Sequence, residues 1–243
     1  MKVQVPKLQQ QFQTSSTQEL LRFFFKKYQD RIALASSLGA EDQVLTDFIL
    51  KIEPKARIFI LDTGRLPQET YETITKTMDH YGRSFEIYFP QTSAVESLVS
   101  QNGPDLFYEG IEKRHLCCGV RKVEPLKRVL NTLDVWITGL RRDQSVTRQE
   151  IQKIEWDETN QLVKINPLIE WSTEQVWQYI KDNKIPYNRL HDQGYPSIGC
   201  APCTRAIKPG EDIRAGRWWW EAPEHKECGL HFRDGKLVRR NET

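Results

Sequence analysis

Short apolar runs alternate with longer amphipathic segments along most of the chain. The apolar runs predict strands at about 31–36, 57–61, 84–89 and 135–138. The longer segments predict helices at about 41–52 and 67–81, with further helical segments up to about residue 130. Apolar strands separated by helices imply right-handed crossovers and a parallel sheet that is covered on both faces. The predicted fold class is therefore α/β, a doubly wound and mostly parallel sheet with helices on both faces.

Capped helices and a hairpin flank this series. A capping-box pattern at Ser16 precedes an apolar helix, and a second capped helix is predicted over 172–183. Segments 152–156 and 162–166 predict a short hairpin. The strand at 135–138 is therefore expected to be the last one of the parallel series.

The C-terminal part of the chain has a different composition. After Pro186 it is rich in Gly, Pro, Cys and Trp and loses its helical periodicity. We expect an α/β domain over 1–213, followed by a mobile C-terminal arm over 214–243. The three tryptophans at 218–220 are expected to anchor that arm.

Composition and charge limit the classes of function. A chain of 243 residues with 38% hydrophobic content can bury a sizeable core. Its 35 basic and 33 acidic residues leave a formal charge of +2, which gives no overall attraction to nucleic acid or to a membrane. The first residues lack the apolar core of a signal peptide, and no segment is apolar enough to span a membrane. We expect a cytoplasmic protein with no nucleic-acid or membrane partner, in which any anion site is local.

The loop SSLGAED follows the first predicted strand. Ser36, Ser37 and Gly39 lie with free backbone amides at a helix start, a setting that favours phosphate. The alternative is a plain strand-to-helix turn. The Walker Lys-Ser/Thr ending is missing, which disfavours a P-loop NTPase. Glu41 and Asp42 fall in the first helical turn, where the helix dipole stabilises acids.

Two later strand ends also carry polar residues. Asp62 follows the second strand and either accepts from a ribose or base or closes its own turn. Arg141, Arg142 and Arg148 place three guanidinium groups after the last strand. Their planar forks match phosphate or sulfate oxygens, so we expect an anion site there. The alternative is a solvated basic surface that is paired with acids such as Asp143.

The cysteine pattern predicts a metal site. Five cysteines make a poor disulfide framework, whereas Cys200 and Cys203 have the two-residue gap that lets both thiolates reach one metal group. Cys117 and Cys118 supply two more ligands. Adjacent cysteines are awkward for tetrahedral zinc but acceptable for a four-iron cluster, which we therefore favour over zinc. Lys122 lies just past the pair and could donate to cluster sulfurs or to an anionic ligand.

Cys228 stands apart from the other cysteines. Positive neighbours lower the pKa of a thiol and raise its thiolate fraction, as a nucleophile requires. An idle surface cysteine is the alternative. The basic or titratable neighbours of Cys228 are Arg214, Arg217, His225, Lys226 and His231.

These motifs together resemble those of one enzyme family. The chain contains SSLGAED, LDTGRLPQETYE, CCGVRKVEPL, TGLRRDQSVTR, IGCAPCTR, GRWWWE and KECGLH, in this order. It is similar to the assimilatory adenylyl-sulfate (APS) reductases, thioredoxin-dependent enzymes related to the PAPS reductases, over roughly residues 30 to 232. The resemblance implies an adenine nucleotide alpha hydrolase-like fold.

The resemblance implies a reaction that uses each motif. The Cys228 thiolate would attack the sulfur of APS, release AMP and leave a thiosulfonate on the enzyme. A thioredoxin thiol would then free sulfite, in assimilatory sulfate reduction toward cysteine. The domain over 1–213 would bind the nucleotide, and the arm over 214–243 would carry the nucleophile.

The resemblance also implies the cofactor and the site residues. One [4Fe-4S] cluster per subunit would be ligated by Cys117, Cys118, Cys200 and Cys203. Lys122 would bridge cluster and substrate, and His231 would lie beside the nucleophile Cys228. The implied substrate-binding residues are Ser36, Ser37, Gly39, Ala40, Glu41, Asp42, Leu61, Gly139, Arg148, Arg214 and Arg217.

Several alternatives stay open at this point. A histidine that some members carry three residues before the cysteine pair is Arg114 here, with His115 adjacent, so its contact is not transferred. PAPS is the alternative substrate, alone or together with APS. An adenylating sulfurtransferase of the ATP-pyrophosphatase type and a zinc-ribbon-like nucleic-acid module are more distant rivals. Relatives form homo-oligomers, but no stretch of this chain identifies an interface.

Overall fold

The computed structural model describes residues 1–144 and 150–222. The described residues form six strands: β1 (Ile32–Ser36), β2 (Arg57–Leu61), β3 (Glu86–Tyr88), β4 (Val135–Ile137), β5 (Ile154–Asp157) and β6 (Leu162–Ile165). Their α-helices are α1 (Val5–Gln11), α2 (Thr17–Tyr28), α3 (Ala40–Ile52), α4 (Gln68–Tyr81), α5 (Thr92–Asn102), α6 (Ile111–Cys118), α7 (Glu124–Leu130) and α8 (Thr173–Asn183). A π-helical stretch, Gly119–Val123, joins α6 to α7.

The strands form one sheet in the order β3-β2-β1-β4-β6-β5. The pairs β3–β2, β2–β1, β1–β4 and β4–β6 are parallel, and β5 pairs with β6 in the antiparallel direction. Helices connect β1 to β2, β2 to β3 and β3 to β4. The sheet therefore confirms the predicted α/β fold class.

The parallel series does not end at β4, and that prediction from the sequence was wrong. Strand β6 pairs in parallel with β4, with Val163 opposite Val135, and becomes a fifth parallel strand. All four residues of β6 are buried, which is typical of a strand inside a sheet. The predicted hairpin is present as well, with Ile154 of β5 opposite Ile165 of β6. One strand thus belongs to both a hairpin and the parallel series.

Alternate residues of the central strands face two different apolar cores. Ile32 and Leu34 of β1 belong to a large core that includes residues of α2, α3 and α8. Ala33 points to the other face, where it packs with Leu126 and Val129 of α7. Helices therefore cover both faces of the sheet, as the sequence predicts.

Side chains fix the starts of two of these helices. Glu19 N–H donates to Ser16 Oγ at the start of α2, and Gln175 N–H donates to Ser172 Oγ at the start of α8, both at 3.2 Å. Both predicted caps are therefore confirmed. Among the described residues, no helix combines the length and the apolar character that crossing a membrane requires.

A third apolar cluster lies beside the ends of the strands. It contains the thiols of Cys117 and Cys203 together with Phe107 and Trp218. Thr204 forms an antiparallel bridge with the residue before Trp218, and Trp218 N–H donates to the Cys203 carbonyl at 3.1 Å. The first residues of the predicted arm therefore pack against the sheet domain. The boundary at 213 stays a prediction, and residues 223–243 lie outside the described part of the chain.

Candidate functional site

A cavity of about 300 Å³ opens at the carboxyl edge of the sheet. The loops after β1, β2 and β4 all contribute to its wall, as is typical of ligand sites on parallel sheets. Helix α6, the π-helical stretch and segments 196–203 and 213–218 also contribute to it. The sequence-predicted site residues that line it are Ser36, Ser37, Gly39, Glu41, Asp42, Leu61, Cys117, Cys118, Lys122, Gly139, Cys200, Cys203, Arg214 and Arg217.

The remaining predicted residues are placed differently. Ala40 is buried at the first position of α3 and is not part of the cavity wall. Arg148, Cys228 and His231 lie outside the described residues. The roles of these three residues stay predictions.

The loop between β1 and α3 makes hydrogen bonds to Asp42 in the first turn of α3. Asp42 accepts a hydrogen bond from the Ser37 N–H at 2.6 Å and another from Ser37 Oγ at 2.7 Å. Leu38 has a left-handed backbone, with φ 62°, and its N–H donates to Ser36 Oγ at 3.2 Å. The Ser37 groups that were predicted to receive a phosphate thus donate to an internal carboxylate in this structure.

Asp42 has an unusual electrostatic environment. Burial raises the pKa of Asp42 from 3.8 to about 6, while the hydrogen bonds from Ser37 and the charge of Lys122 lower it. Lys122 is therefore close enough to act on the loop. A Cβ atom added at Gly139 would overlap the Asp42 carboxylate, so the backbone after β4 packs directly against this acid. The two loops form one continuous wall.

Two of the three arginines after β4 are held by acids. Glu41 accepts from Arg141 Nε at 2.9 Å, and Arg141 also pairs with Asp143. Arg141 is only 1% exposed. Arg142 is partly exposed, lies 3.7 Å from Glu170 and does not line the cavity. The expectation that Arg141 binds an external anion was therefore wrong, because Arg141 is buried in ion pairs within the protein. Anion binding by Arg142 stays a prediction.

The four cysteines of the predicted metal site reach the same cavity wall, although the two pairs are far apart in the chain. Cys117 and Cys203 are buried, and Cys118 and Cys200 are partly buried. Burial raises the pKa of the Cys117 thiol, and burial with the nearby Cys200 raises the pKa of Cys203 to about 12. The folding of the chain thus brings together the ligand types that the spacing predicts.

Four thiols are a donor set that an iron–sulfur cluster can use, and the cluster itself stays a prediction. Among the described residues, no three His, Cys, Asp or Glu side chains converge on one point as ligands of a metal ion. A four-iron cluster binds each thiolate at a separate iron and needs no common point. Arg65 acts electrostatically on both Cys117 and Cys203, and Arg121 acts on Cys117. Positive charge is therefore available to compensate for bound thiolates.

The loop after β2 contributes a contact that the sequence did not reveal. Thr63 Oγ lies 3.2 Å from Cys200 Sγ, and the Thr63 carbonyl accepts from Arg121 Nη1 at 2.8 Å. Asp62 accepts from the Gly64 N–H at 2.7 Å and so closes its own turn, and it also accepts from Tyr71 Oη at 3.0 Å. Threonine in LDTG was visible in the sequence, but nothing local pointed to a cysteine far along the chain.

Basic side chains enter the cavity from the start of the predicted arm. Arg214 and Arg217 line it together with Lys122. Arg217 Nη1 donates to the Ile198 carbonyl at 3.2 Å. The Arg217 guanidinium lies against Gly199, where any Cβ would overlap it. The absence of a side chain at Gly199 therefore allows Arg217 to reach the cavity.

The cavity also has apolar and aromatic lining residues. Leu61 and Gly139 line it, as predicted, together with Trp136 and His191, which the sequence analysis missed. Trp136 Nε1 and His191 Nε2 are buried and have no hydrogen-bond partner among the described residues. Burial lowers the pKa of His191, which favours its neutral form. These two residues bring an indole ring and an imidazole ring to the cavity wall.

Comparison with known proteins places the chain in a family. The family model described as phosphoadenosine phosphosulfate reductase domain matches residues 31–206, which is well over half of the chain. The chain belongs to the phosphoadenosine phosphosulfate reductase family. This result confirms the family resemblance of the sequence motifs.

Its relatives are named for one branch of the family. The adenosine 5'-phosphosulfate reductase of Allochromatium vinosum is 58% identical over 205 residues, which cover 84% of this chain and 80% of that protein. The protein of that name from Pseudomonas aeruginosa is 43% identical over 240 residues, covering 96% of this chain and 88% of that protein. These matches support an enzyme that acts in sulfate reduction.

A solved structure agrees with this membership. The phosphoadenylyl-sulfate reductase of Candida auris, determined as a phosphate complex, is 28% identical with a TM-score of 0.73. The match covers 85% of this chain and 98% of that one. The shared fold extends over nearly the whole of the Candida auris chain.

Proposed function

We propose that the protein reduces adenylyl sulfate to sulfite and AMP, with thioredoxin as the electron donor. The observation that carries the proposal is the convergence of two groups of side chains on one cavity. Four cysteines form one group, and Lys122, Arg214 and Arg217 form the other. The close relatives are named as reductases of this nucleotide. An anionic nucleotide would thus lie next to the group that the four cysteines would hold.

The cavity wall contains both apolar and basic residues, which would suit the two parts of the substrate. Leu61, Gly139 and Trp136 offer apolar contact to the adenosine. Lys122, Arg214 and Arg217 would bind the phosphosulfate, since guanidinium and ammonium groups bind phosphate oxygens. The Asp42 carboxylate lies beside Lys122 and accepts hydrogen bonds from the Ser37 N–H and hydroxyl. These bonds would fix the loop after β1.

The proposed reaction transfers a sulfonate group and then two electrons. The Cys228 thiolate attacks the sulfur of adenylyl sulfate, a sulfur–sulfur bond forms, and the sulfur–oxygen bond to AMP breaks. A thiolate of reduced thioredoxin then attacks the Cys228 sulfur, which releases sulfite and leaves a mixed disulfide. The second thioredoxin thiol resolves this disulfide, so that thioredoxin is oxidised and the Cys228 thiol is restored.

A [4Fe-4S] cluster is proposed at Cys117, Cys118, Cys200 and Cys203. When bound, it would supply a fixed local charge distribution beside the substrate. Lys122 would stand between this group and the phosphosulfate, and Thr63 would donate its hydroxyl hydrogen to the Cys200 sulfur. Unpaired cysteines and a dithiol donor fit a reducing compartment such as the cytoplasm.

The experiment is an anaerobic assay of the full chain with reduced thioredoxin. Adenylyl sulfate and its 3'-phosphorylated form are supplied side by side, and sulfite and nucleotide are measured. We expect sulfite and AMP from adenylyl sulfate, and no sulfite from Cys228→Ser. Equal turnover of the 3'-phosphorylated form would assign a dual specificity. Full activity of Cys228→Ser would overturn the mechanism.

Two further measurements test the proposed cluster and the rival enzyme activity. Anaerobically purified protein should contain iron and acid-labile sulfide, whereas stoichiometric zinc without iron would refute the cluster. The Cys228→Ser protein should retain the iron, because its cluster ligands are unchanged. Release of pyrophosphate from ATP would instead favour an adenylating enzyme of the ATP-pyrophosphatase type.

A further inference from the structure

A buried ion pair ties the cysteine helix to the start of the arm. Arg114 of α6 donates to Glu221 through Nε at 2.9 Å and through Nη2 at 2.7 Å. The Arg114 side chain is 0% exposed and that of Glu221 is 3% exposed. A pair in this environment is costly to break, because either partner alone would be a buried and uncompensated charge. Its geometry therefore constrains both segments.

The same arginine contacts the indole that carries Arg217. The Arg114 guanidinium lies over the Trp218 ring, 4.7 Å from the ring centroid. The Arg217 guanidinium lies over the same indole at 4.6 Å. Cation–π contacts of this kind hold a guanidinium at a fixed distance from the ring. Trp218 thus contacts both Arg114, which belongs to the ion pair, and Arg217, which lines the cavity.

The backbone connects these contacts. Glu221 N–H donates to the Trp218 carbonyl at 2.8 Å, and Arg217 N–H donates to the Arg214 carbonyl at 2.9 Å. Two consecutive turns therefore join Glu221 to both basic residues of the arm that line the cavity. Trp218 itself has a left-handed backbone, with φ 40°, which bulky residues rarely adopt. External contacts are needed to hold such a turn.

We propose that Arg114 is a positioning residue for Arg217. Its ion pair with Glu221 and its contact with Trp218 hold the turn in the conformation that directs the Arg217 guanidinium into the cavity. The inference rests on the proposed function, in which Arg217 binds the phosphosulfate. It assigns a role to a buried arginine that lines the cavity but has no substrate contact in the proposed function.

The test is the affinity for adenylyl sulfate, measured by calorimetry without thioredoxin. All variants are made in the full chain with Cys228→Ser, so that no turnover occurs. Arg114→Met with Glu221→Leu removes both charges together and avoids an unpaired buried ion. We expect this double change to weaken binding about tenfold, and Arg217→Met to weaken it at least as much. Added to Arg217→Met, the double change should weaken binding no further.

The controls separate positioning from general stability. Arg57 and Glu86 form a similar two-bond ion pair, with distances of 2.7 and 3.0 Å, and neither lines the cavity. Arg57→Met with Glu86→Leu should leave the affinity unchanged. Arg114→Lys keeps the buried cation. If the double variant fails to fold, the affinity of Arg114→Lys for adenylyl sulfate tests the proposal instead. It should weaken binding, because lysine cannot make the two-bond contact.

Each outcome decides between the two claims. If Arg217→Met weakens binding but neither Arg114 variant does, Arg114 has no positioning role. Additive effects of the two changes would also overturn the proposal, because Arg114 would then act independently of Arg217. If Arg217→Met itself leaves the affinity unchanged, the proposed function of Arg217 fails, and the inference fails with it.

Discussion

The Asp42 carboxylate accepts both the backbone N–H and the hydroxyl of Ser37, at 2.6 and 2.7 Å. A loop whose position suggests a phosphate site is therefore organised around an internal anion. That anion is buried, which raises the pKa of Asp42 to about 6. The ionisation of Asp42 should therefore make the free energy of unfolding depend on pH.

Asp42→Asn should change how stability depends on pH. The pKa of Asp42 rises on folding from 3.8 to about 6, so the folded chain binds more protons than the unfolded chain between these values. The stability from this group is present below pH 3.8 and is lost as the pH rises through about 6. At about pH 8, Asp42→Asn should therefore raise the free energy of unfolding by about 1 to 3 kcal/mol.

The measurement is urea unfolding of both proteins at several pH values. The gain from Asp42→Asn should shrink as the pH falls toward 4, where the native carboxyl is protonated in the folded chain. A variant less stable than the native protein at pH 8 would show that the charged form of Asp42 is the favoured one.

Gly139→Ala should disrupt the same loop. The added Cβ would overlap the Asp42 carboxylate and approach Glu41 Cβ at 3.0 Å, so the loop after β1 must move. We expect a loss of about 1 to 3 kcal/mol in unfolding free energy and weaker binding of AMP. Gly119→Ala is the steric control, because no atom lies within 4 Å of its added Cβ and its φ of −56° is helical. Equal effects of the two substitutions would contradict this explanation.

Thr63→Val should weaken the hold on iron. The substitution keeps the shape of the side chain but removes the hydroxyl that lies 3.2 Å from Cys200 Sγ. Loss of such an outer contact lowers metal affinity about tenfold or more. Iron release to a chelator should therefore be faster in Thr63→Val, while Thr63→Ser, which keeps the hydroxyl, should resemble the native protein. Identical release from all three proteins would argue against this contact.

Arg141→Met should destabilise the fold far more than Arg142→Met. Arg141 is buried and pairs with Glu41, so its loss leaves a partly buried carboxylate without its partner, at a cost of about 3 to 5 kcal/mol. Arg142 is partly exposed with a long contact to Glu170, and its loss should change stability by less than about 0.5 kcal/mol. Thermal unfolding measures both. Similar losses for the two would place Arg142 in the same buried network.

Much of the fold followed from the sequence because its signals are local. Strand β2 has the predicted bounds, 57–61, since a short apolar run is also what a buried parallel strand needs. Helix α1 was not predicted, although Val5 and Leu8 are buried on one side of it. Pro6 at the start of the helix and the three glutamines after Leu8 mask the pattern. The second role of β6 depends on which strand becomes its neighbour, and no local pattern contains that information.

The candidate site divides in the same way. The cysteine pairs and the loop after β1 were recognisable from spacing within a few residues. The partners of the charged residues were not, since Glu41 and Arg141 are 100 positions apart and Arg114 and Glu221 are 107 apart. A buried carboxylate and a surface carboxylate look alike in a sequence. The fold alone decides which arginine remains available to bind an anion.

The covalent intermediate on Cys228 tests the proposed function most directly. The full chain is mixed with adenylyl sulfate under anaerobic conditions without thioredoxin, and its peptides are examined by mass spectrometry. We expect one sulfonate group on Cys228, an amount of AMP equal to the amount of protein, and sulfite only after reduced thioredoxin is added. Sulfite release before thioredoxin is added, or AMP release with Cys228 unmodified, would contradict the proposed function.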